Sequence, residues 1–398
     1  MTRRDGTVSK INRKSKKHSK NKKVSRKISG LYNKYTKPLE AVKIEEKAEQ
    51  TRIDEYSKKL SLPLHLMTMI HFVIEECISL TQLCVSLKGK DAKFRGLEPV
   101  SKGQLSTVNK NRDYRVFVWI YYELLYKIIH KHHALQQICK DLLIAGIDTT
   151  SILIKSYFSE KGYCGLTKMV EEGIKLHIGA VLGKFTLPIT MMVTPMNVSD
   201  TDEFDNVLTD MGIFVDLHKV ILVFDKGYWY YKRFKELTGK GIRFIVPMKK
   251  GARYKVIFSQ KKGTKKYTDF TIELNDTPGT KFRLVVIHTK DGDLEYLTNI
   301  FDMKPLQIRF CYDIRWDMEV FNKELKSNLK ITHLISKNLN GVLIQIFCTL
   351  IAYLLIALFR ITHNSLLPVL EIKRLLRYYG TYSMRKVREL NPKSITIT

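Results

Sequence analysis

The sequence predicts an α/β protein, with a helical region before its sheet and helical chain after it. From residue 142 the chain turns into short apolar or β-branched runs bounded by Gly, Pro, Asp and Lys, the pattern of buried strands. Helix-like segments alternate with these runs up to residue 249, as they do where helices cover a sheet. On either side, over 60–140 and from 310 onward, apolar residues recur at helical spacing.

The bulk properties narrow the class. A chain of 398 residues is long enough for two or three domains and a well-buried core. Its formal net charge of +29 points to a polyanionic partner, nucleic acid before an anionic membrane. Cys77, Cys84, Cys139, Cys164, Cys311 and Cys348 are scattered and form no C-x-x-C pair. Neither a zinc ribbon nor a disulfide framework is expected, and a reducing compartment suits the chain. His130, His132 and His133 have no cysteine or acidic neighbours and read as a solvated basic helix face. No apolar stretch follows the basic N-terminus, so no secretory leader is expected.

Taken in order, residues 1–60 form a basic arm, largely disordered on composition and densest in Lys, Arg and Ser up to about residue 40. Such an arm attracts phosphates without choosing a sequence. Residues 61–141 form a helical DNA-binding region. Leu64, Met67, His71, Ile74 and Ile78 mark one stretch, and Phe117, Ile120, Leu124 and Ile128 another. The segment LSTVNKNRDYR between them is compatible with a helix-turn-helix and equally with a plain bundle.

The strand-like runs are LLIAGIDTTSILI, IKLHIGAVLG, FTLPITMMV, KVILVFD and GIRFIVPM. SDTDEFDNVLTDM reads as a helix capped by Ser199 or Asp200, and YYKRFKELTGKG as another stopped by glycine. At about 250–300 the runs RYKVIFS, KYTDFTIEL, FRLVVIHT and EYLTNI form a β-rich insertion. Residues 341–359 are long and apolar enough to span a membrane. A core helix is expected instead, because the candidate chemistry lies just before them. A basic tail is expected over 361–398.

Asp148 lies within an apolar run and Asp225 ends one. A buried carboxylate is costly unless a cation or hydrogen bonds satisfy it. Taken singly, Asp148 could be a turn residue and Asp225 a helix cap. The segment YDIRWDMEVFNKELKSNLK adds a third element. As one continuous helix it places Tyr312, Arg315, Glu319 and Lys326 within an arc of about 60°. Ile314, Met318, Phe321, Leu325 and Leu329 form a separate apolar stripe.

The spacing Y-(2)-R-(3)-E-(6)-K made by these four residues resembles the signature of the insertion sequence family four of DDE transposases. IDTTSI is similar to that family's first-aspartate strand, VFDKGYW to its second-aspartate motif, and LTNI to the strand leaving its β insertion. The resemblance covers roughly residues 95–360. It implies a ribonuclease-H-like catalytic domain at 142–360, interrupted by the β-rich insertion, with acids on the first strand, the fourth strand and a late helix. It further implies metal-dependent strand cleavage and transfer by a cut-and-paste route. Asp148, Asp225 and Glu319 would be the catalytic residues and ligands of Mg²⁺, with Mn²⁺ able to substitute. Tyr312, Arg315 and Lys326 would contact DNA. The partners implied are double-stranded DNA, as terminal inverted repeats and target, and a second copy of the chain in the synaptic complex. A cytoplasmic, DNA-associated protein with no membrane partner follows. Some relatives place a tryptophan in the insertion to hold a flipped base; here Trp119, Trp229 and Trp316 all lie elsewhere, which leaves hairpin chemistry open. His177 reads as a strand histidine beside the site, since imidazole suits Mg²⁺ poorly. The alternative function is a DNA-binding protein derived from a transposase.

Overall fold

The computed structural model describes residues 30–55, 57, 59–131, 143–153, 173–183, 185–259 and 266–390. His132, His133, Cys139, Cys164 and the most basic part of the N-terminal arm lie outside the described residues.

The described residues begin with α1 (Leu31–Thr36), a 3₁₀ turn (Lys37–Val42) and α2 (Ile44–Thr51). Then come α3 (Leu62–Ile74), α4 (Leu80–Ser86), α5 (Lys90–Phe94), α6 (Lys102–Asn111) and α7 (Arg115–Lys131). The arm expected over residues 1–60 is therefore helical from Leu31 to Thr51. Its few apolar residues are its anchors. Tyr32 and Tyr35 are buried, and the Tyr35 hydroxyl donates to the Ala352 carbonyl at 3.1 Å. The segment compatible with a helix-turn-helix is mostly α6 itself, with the bend confined to 112–114.

A nine-stranded mixed sheet follows, with β1 (Leu143–Leu153), β2 (Gly173–Leu182), β3 (Leu187–Pro195), β4 (Val220–Phe224) and β5 (Arg243–Pro247). The expected insertion supplies β6 (Tyr254–Ser259), β7 (Tyr267–Leu274), β8 (Lys281–Thr289) and β9 (Gly292–Thr298). The strand order is β3-β2-β1-β4-β5-β9-β8-β7-β6. β4 runs parallel to β1, and β5 to β4. β2 is antiparallel to both its neighbours. β9 joins β5 antiparallel, so the insertion extends the same sheet rather than forming a separate one.

Two glycines show how the faces are covered. A Cβ at Gly146 would meet Met318, and one at Gly179 would meet Met211. Gly146 pairs with Ala180, so Gly179 points the other way from Gly146. Met211 belongs to α8 (Asp200–Phe214), whose N-cap Ser199 accepts from the Thr201 amide. Met318 belongs to the late helical segment on the opposite face.

After α9 (Tyr231–Gly239) and the insertion come α10 (Pro305–Asp313), α11 (Trp316–Lys323) and a π-helical turn (Glu324–Asn328). The single helix expected over 312–330 is thus broken twice. Arg315, Asp317 and Met318 donate to carbonyls three residues back rather than four, which tightens the turn. The π turn then widens it, so a uniform advance of about 100° per residue is not kept.

The membrane-length segment is α12 (Leu339–Thr362). Its most apolar window is wholly buried, against α1, α3, α6, α7 and β3. Its polar groups find partners inside the protein, as burial requires. Gln345 bonds His333 and Ile335, and Tyr353 donates to the Thr186 carbonyl at 3.0 Å. The expected tail instead folds as α13 (Val369–Tyr379) and α14 (Met384–Leu390). Val369, Ile372 and Leu376 are fully buried, at the spacing of one helix face.

Candidate active site

The β1–β4 ladder ends at the pair Ile147 and Phe224. Asp148 and Asp225 are the next residue on each strand. Side chains at matched positions of neighbouring strands share a face. Asp148, two residues after Gly146, lies on the face covered by α11. Asn322, one turn beyond Met318, donates from Nδ2 to Asp148 Oδ2 at 2.8 Å.

Burial pushes the Asp148 carboxyl above the usual carboxylate range, and the negative charges of Asp225 and Glu319 push it further. The Thr149 amide and the Arg315 guanidinium oppose this. Three acids from separate parts of the chain therefore act on one another electrostatically, around the point where the β1–β4 ladder ends under α11.

Arg315 sits at the N-cap of α11. Its Nη2 donates to Glu319 Oε1 at 2.8 Å, one helical turn on. Its guanidinium carbon lies 5.5 Å from the centre of the Tyr312 ring. Burial alone would lower the pKa of Arg315, but Glu319, Tyr312 and Asp225 outweigh it and hold the group above its ordinary value. Burial pushes the Tyr312 phenol up to about 12, against the pull of Arg315. Two buried polar atoms here have no hydrogen-bond partner among the described residues: Nε of Arg315, a donor, and Oδ1 of Asn322, an acceptor. Both are costly to leave so, and a ligand offering an anionic and a cationic group would satisfy them.

Lys326 stands apart. It lies half-buried in the π turn and makes no hydrogen bond or ion pair among the described residues. The structure thus links Tyr312, Arg315 and Glu319 to one another, with the charges of Arg315 and Glu319 felt at Asp148, while Lys326 lies outside their contacts among the described residues. His177 is paired opposite Thr149 and so faces away from Asp148. Both its ring nitrogens are engaged, by Thr149 at 3.0 Å and Thr194 at 2.7 Å. Nothing in the sequence singles out Asn322, although it lies three residues beyond Glu319; only its meeting with Asp148 marks it.

Among the described residues no three His, Cys, Asp or Glu side chains stand close enough to form a ready-made ion site. Glu319 is turned to Arg315 and Asp148 to Asn322. The donor set nonetheless fits a hard divalent cation. It is all oxygen, crowded with like charge, and includes a desolvated carboxylate and an orphaned amide oxygen.

The chain is 24% identical over 211 residues to a Sinorhizobium fredii protein named "Putative transposase y4zB", covering 50% of this chain and 57% of that one. It is 28% identical over 200 residues to "Probable transposase for insertion sequence element IS5377" of Geobacillus stearothermophilus, covering 46% and 48%. It is 26% identical over 314 residues to "Putative transposase for insertion sequence element IS4SA" of a Synechocystis strain, covering 75% and 82%. The chain spans about half the length of the first two of these relatives. The model of the transposase DDE domain matches residues 141–355, from just before the strand of Asp148, through the helix of Glu319 and into α12. That match takes in more than half of the sequence, and the chain belongs to the transposase DDE domain family.

Proposed function

We propose that the chain is an insertion-sequence transposase that cleaves DNA at the element's ends and joins the freed 3′ ends to a target by a cut-and-paste route. What supports this is that Asp148 and Asp225 directly follow the last pair of the β1–β4 ladder, under the helix that carries Glu319, whose charge acts on Asp148. Acids on the first strand, the fourth strand and a late helix, with β2 alone reversed among the first five strands, support a ribonuclease-H-like domain.

Asp148, Asp225 and Glu319 would hold Mg²⁺ or Mn²⁺. Such a cation, when bound, would help activate the attacking water or 3′-hydroxyl and stabilise the leaving oxygen. The chain's own groups divide the remaining work. Asn322 fixes the orientation of Asp148. Arg315 guards Glu319 until substrate arrives, then turns its planar fork to a phosphate. That exchange also satisfies its orphaned Nε. Tyr312 keeps its proton far above neutral pH and donates it in a hydrogen bond to a phosphate oxygen. Lys326, with no partner among the described residues, adds a point charge to the DNA track. The basic N-terminal arm and the helices before the sheet supply further DNA contact, and two copies of the chain hold the two ends. A cytoplasmic protein working on DNA follows from this chemistry.

The test is cleavage of end DNA by Asp148→Asn, Asp225→Asn and Glu319→Gln with Mg²⁺ or Mn²⁺. Each variant should lose cleavage and retain DNA binding. An Asp225→Asn protein that nicks at the wild-type rate would remove the basis of the proposal.

A further inference from the structure

We infer that Tyr228 and Thr149 are a pair of positioning residues that hold Asp148 and Asp225 in mutual register. The inference rests on the role proposed above for those aspartates.

The backbone leaves a gap that this pair closes. The last bonded residues of β1 and β4 are Ile147 and Phe224. Both aspartates lie one step beyond, where no inter-strand ladder fixes their separation. After Asp225 the chain makes a 3₁₀ turn, Lys226–Tyr228, closed by the Tyr228 amide on the Asp225 carbonyl at 3.0 Å. The turn brings the Tyr228 hydroxyl to 2.7 Å from Thr149 Oγ1. Thr149 is the neighbour of Asp148, so a side-chain bond replaces the missing ladder.

The bond is itself anchored. Thr149 Oγ1 lies 3.0 Å from His177 Nδ1, and His177 Nε2 lies 2.7 Å from Thr194 Oγ1. Thr194 donates to the Pro195 carbonyl, so its oxygen must accept from His177 Nε2–H. A neutral ring then leaves Nδ1 as an acceptor, to which Thr149 donates. Thr149 in turn accepts from Tyr228. Every proton in the chain is placed in one direction, and β1, β2, β3 and the turn after β4 are tied together. Tyr228 has little freedom to leave: it is 4% exposed, and its ring packs on Phe204 at 5.6 Å and Phe224 at 6.5 Å. The network lies on the sheet face opposite the carboxylates, so it acts through the backbone rather than by touching substrate.

The experiment compares Tyr228→Phe, Thr149→Val, the double variant and Thr149→Ser. Both single changes keep shape and remove one hydroxyl. Calorimetric binding of Mn²⁺ without DNA is measured beside single-turnover cleavage, end-DNA affinity and Tm. Tyr228→Phe and Thr149→Val should each weaken Mn²⁺ binding and slow cleavage by about tenfold or more, the usual cost of losing a group that orients a metal ligand. End-DNA affinity should stay unchanged. The double variant should be no worse than Thr149→Val alone, because that change already removes the Tyr228 bond along with the one to His177, and Thr149→Ser should behave as the wild type. A lowered Tm with unchanged Mn²⁺ affinity and cleavage rate would reduce the pair to core packing and overturn the inference. Fully multiplicative losses in the double variant would also overturn it. If Asp148→Asn and Asp225→Asn bind Mn²⁺ as the wild type does, the failure lies instead in the proposed role of the aspartates.

Discussion

Replacing Arg315 by Ala should strengthen metal binding while it weakens DNA binding. In the structure Arg315 Nη2 holds Glu319 Oε1 at 2.8 Å, and the Glu319 side chain is 39% exposed. A pair so open to solvent is screened and contributes about 1 kcal/mol at most. Removing it frees Glu319 for a cation, so the Mn²⁺ concentration for half-maximal cleavage should fall, by no more than about fivefold. The same substitution takes away a charge-assisted bond to phosphate, worth about 1.5–3 kcal/mol, or roughly one to two decades in end-DNA affinity. Arg315→Lys should recover little, because an ammonium cannot reproduce a two-pronged grip. Lys326→Ala should weaken end binding with no movement of the metal midpoint, since Lys326 touches none of the acids. Tyr312→Phe should be milder than either, removing one neutral hydrogen bond. The assay is cleavage of labelled end DNA across a Mn²⁺ series, with affinity from electrophoretic shift in the non-cleaving Glu319→Gln background. A severalfold rise in the metal midpoint of Arg315→Ala with end binding intact would overturn this division of roles. It would make the guanidinium a support of the metal site rather than its competitor.

Asp148→Asn should raise the Tm of the metal-free protein at neutral pH. The raised folded-state pKa of Asp148 means that its charged form costs stability, a cost present above that pKa and lost as pH falls through it toward the unfolded value; equal Tm values at pH 7 would contradict this. Burial, aided by Arg112, lowers His65 to about 3. The unfolded chain then takes up a proton below about pH 6.5 that the folded one refuses. Stability should therefore fall between about pH 6.5 and 3, and His65→Gln should flatten that slope in urea midpoints. Gly146→Ala places a Cβ 2.7 Å from Met318 Cγ and 2.9 Å from Leu182 Cδ1. Met318 is flexible, so the cost should lie at the low end of about 1–3 kcal/mol. Cleavage should fall more than DNA binding as α11 is displaced from β1, and unchanged cleavage would count against that packing.

The strands, the insertion, the core helix and the candidate acids are all legible in the amino-acid order. Each is a local pattern: β-branched runs between turn residues at 142–249, an uninterrupted apolar stretch at 341–359, and four polar residues at fixed spacing from Tyr312 to Lys326. Such patterns survive because hydrophobic burial and backbone periodicity act over a few residues. Composition misleads where it is averaged over long windows. The arm's basic excess hides Leu31, Tyr32 and Tyr35, which become anchors only because α12 offers them a surface. The same averaging makes a tail of the C-terminal segment, although Val369, Ile372 and Leu376 stand at helical spacing. The remaining features arise only when the chain is folded. The breaks at 314–318 and 324–328 set Lys326 apart from Glu319, and no count of residues per turn foresees a change from α to 3₁₀ and then to π hydrogen bonding. Asn322 meets Asp148 across 174 residues, and Tyr228 meets Thr149 across 79. A hydrogen bond depends on distance in space, and only the packing of α11 and of the turn after β4 against β1 supplies that distance.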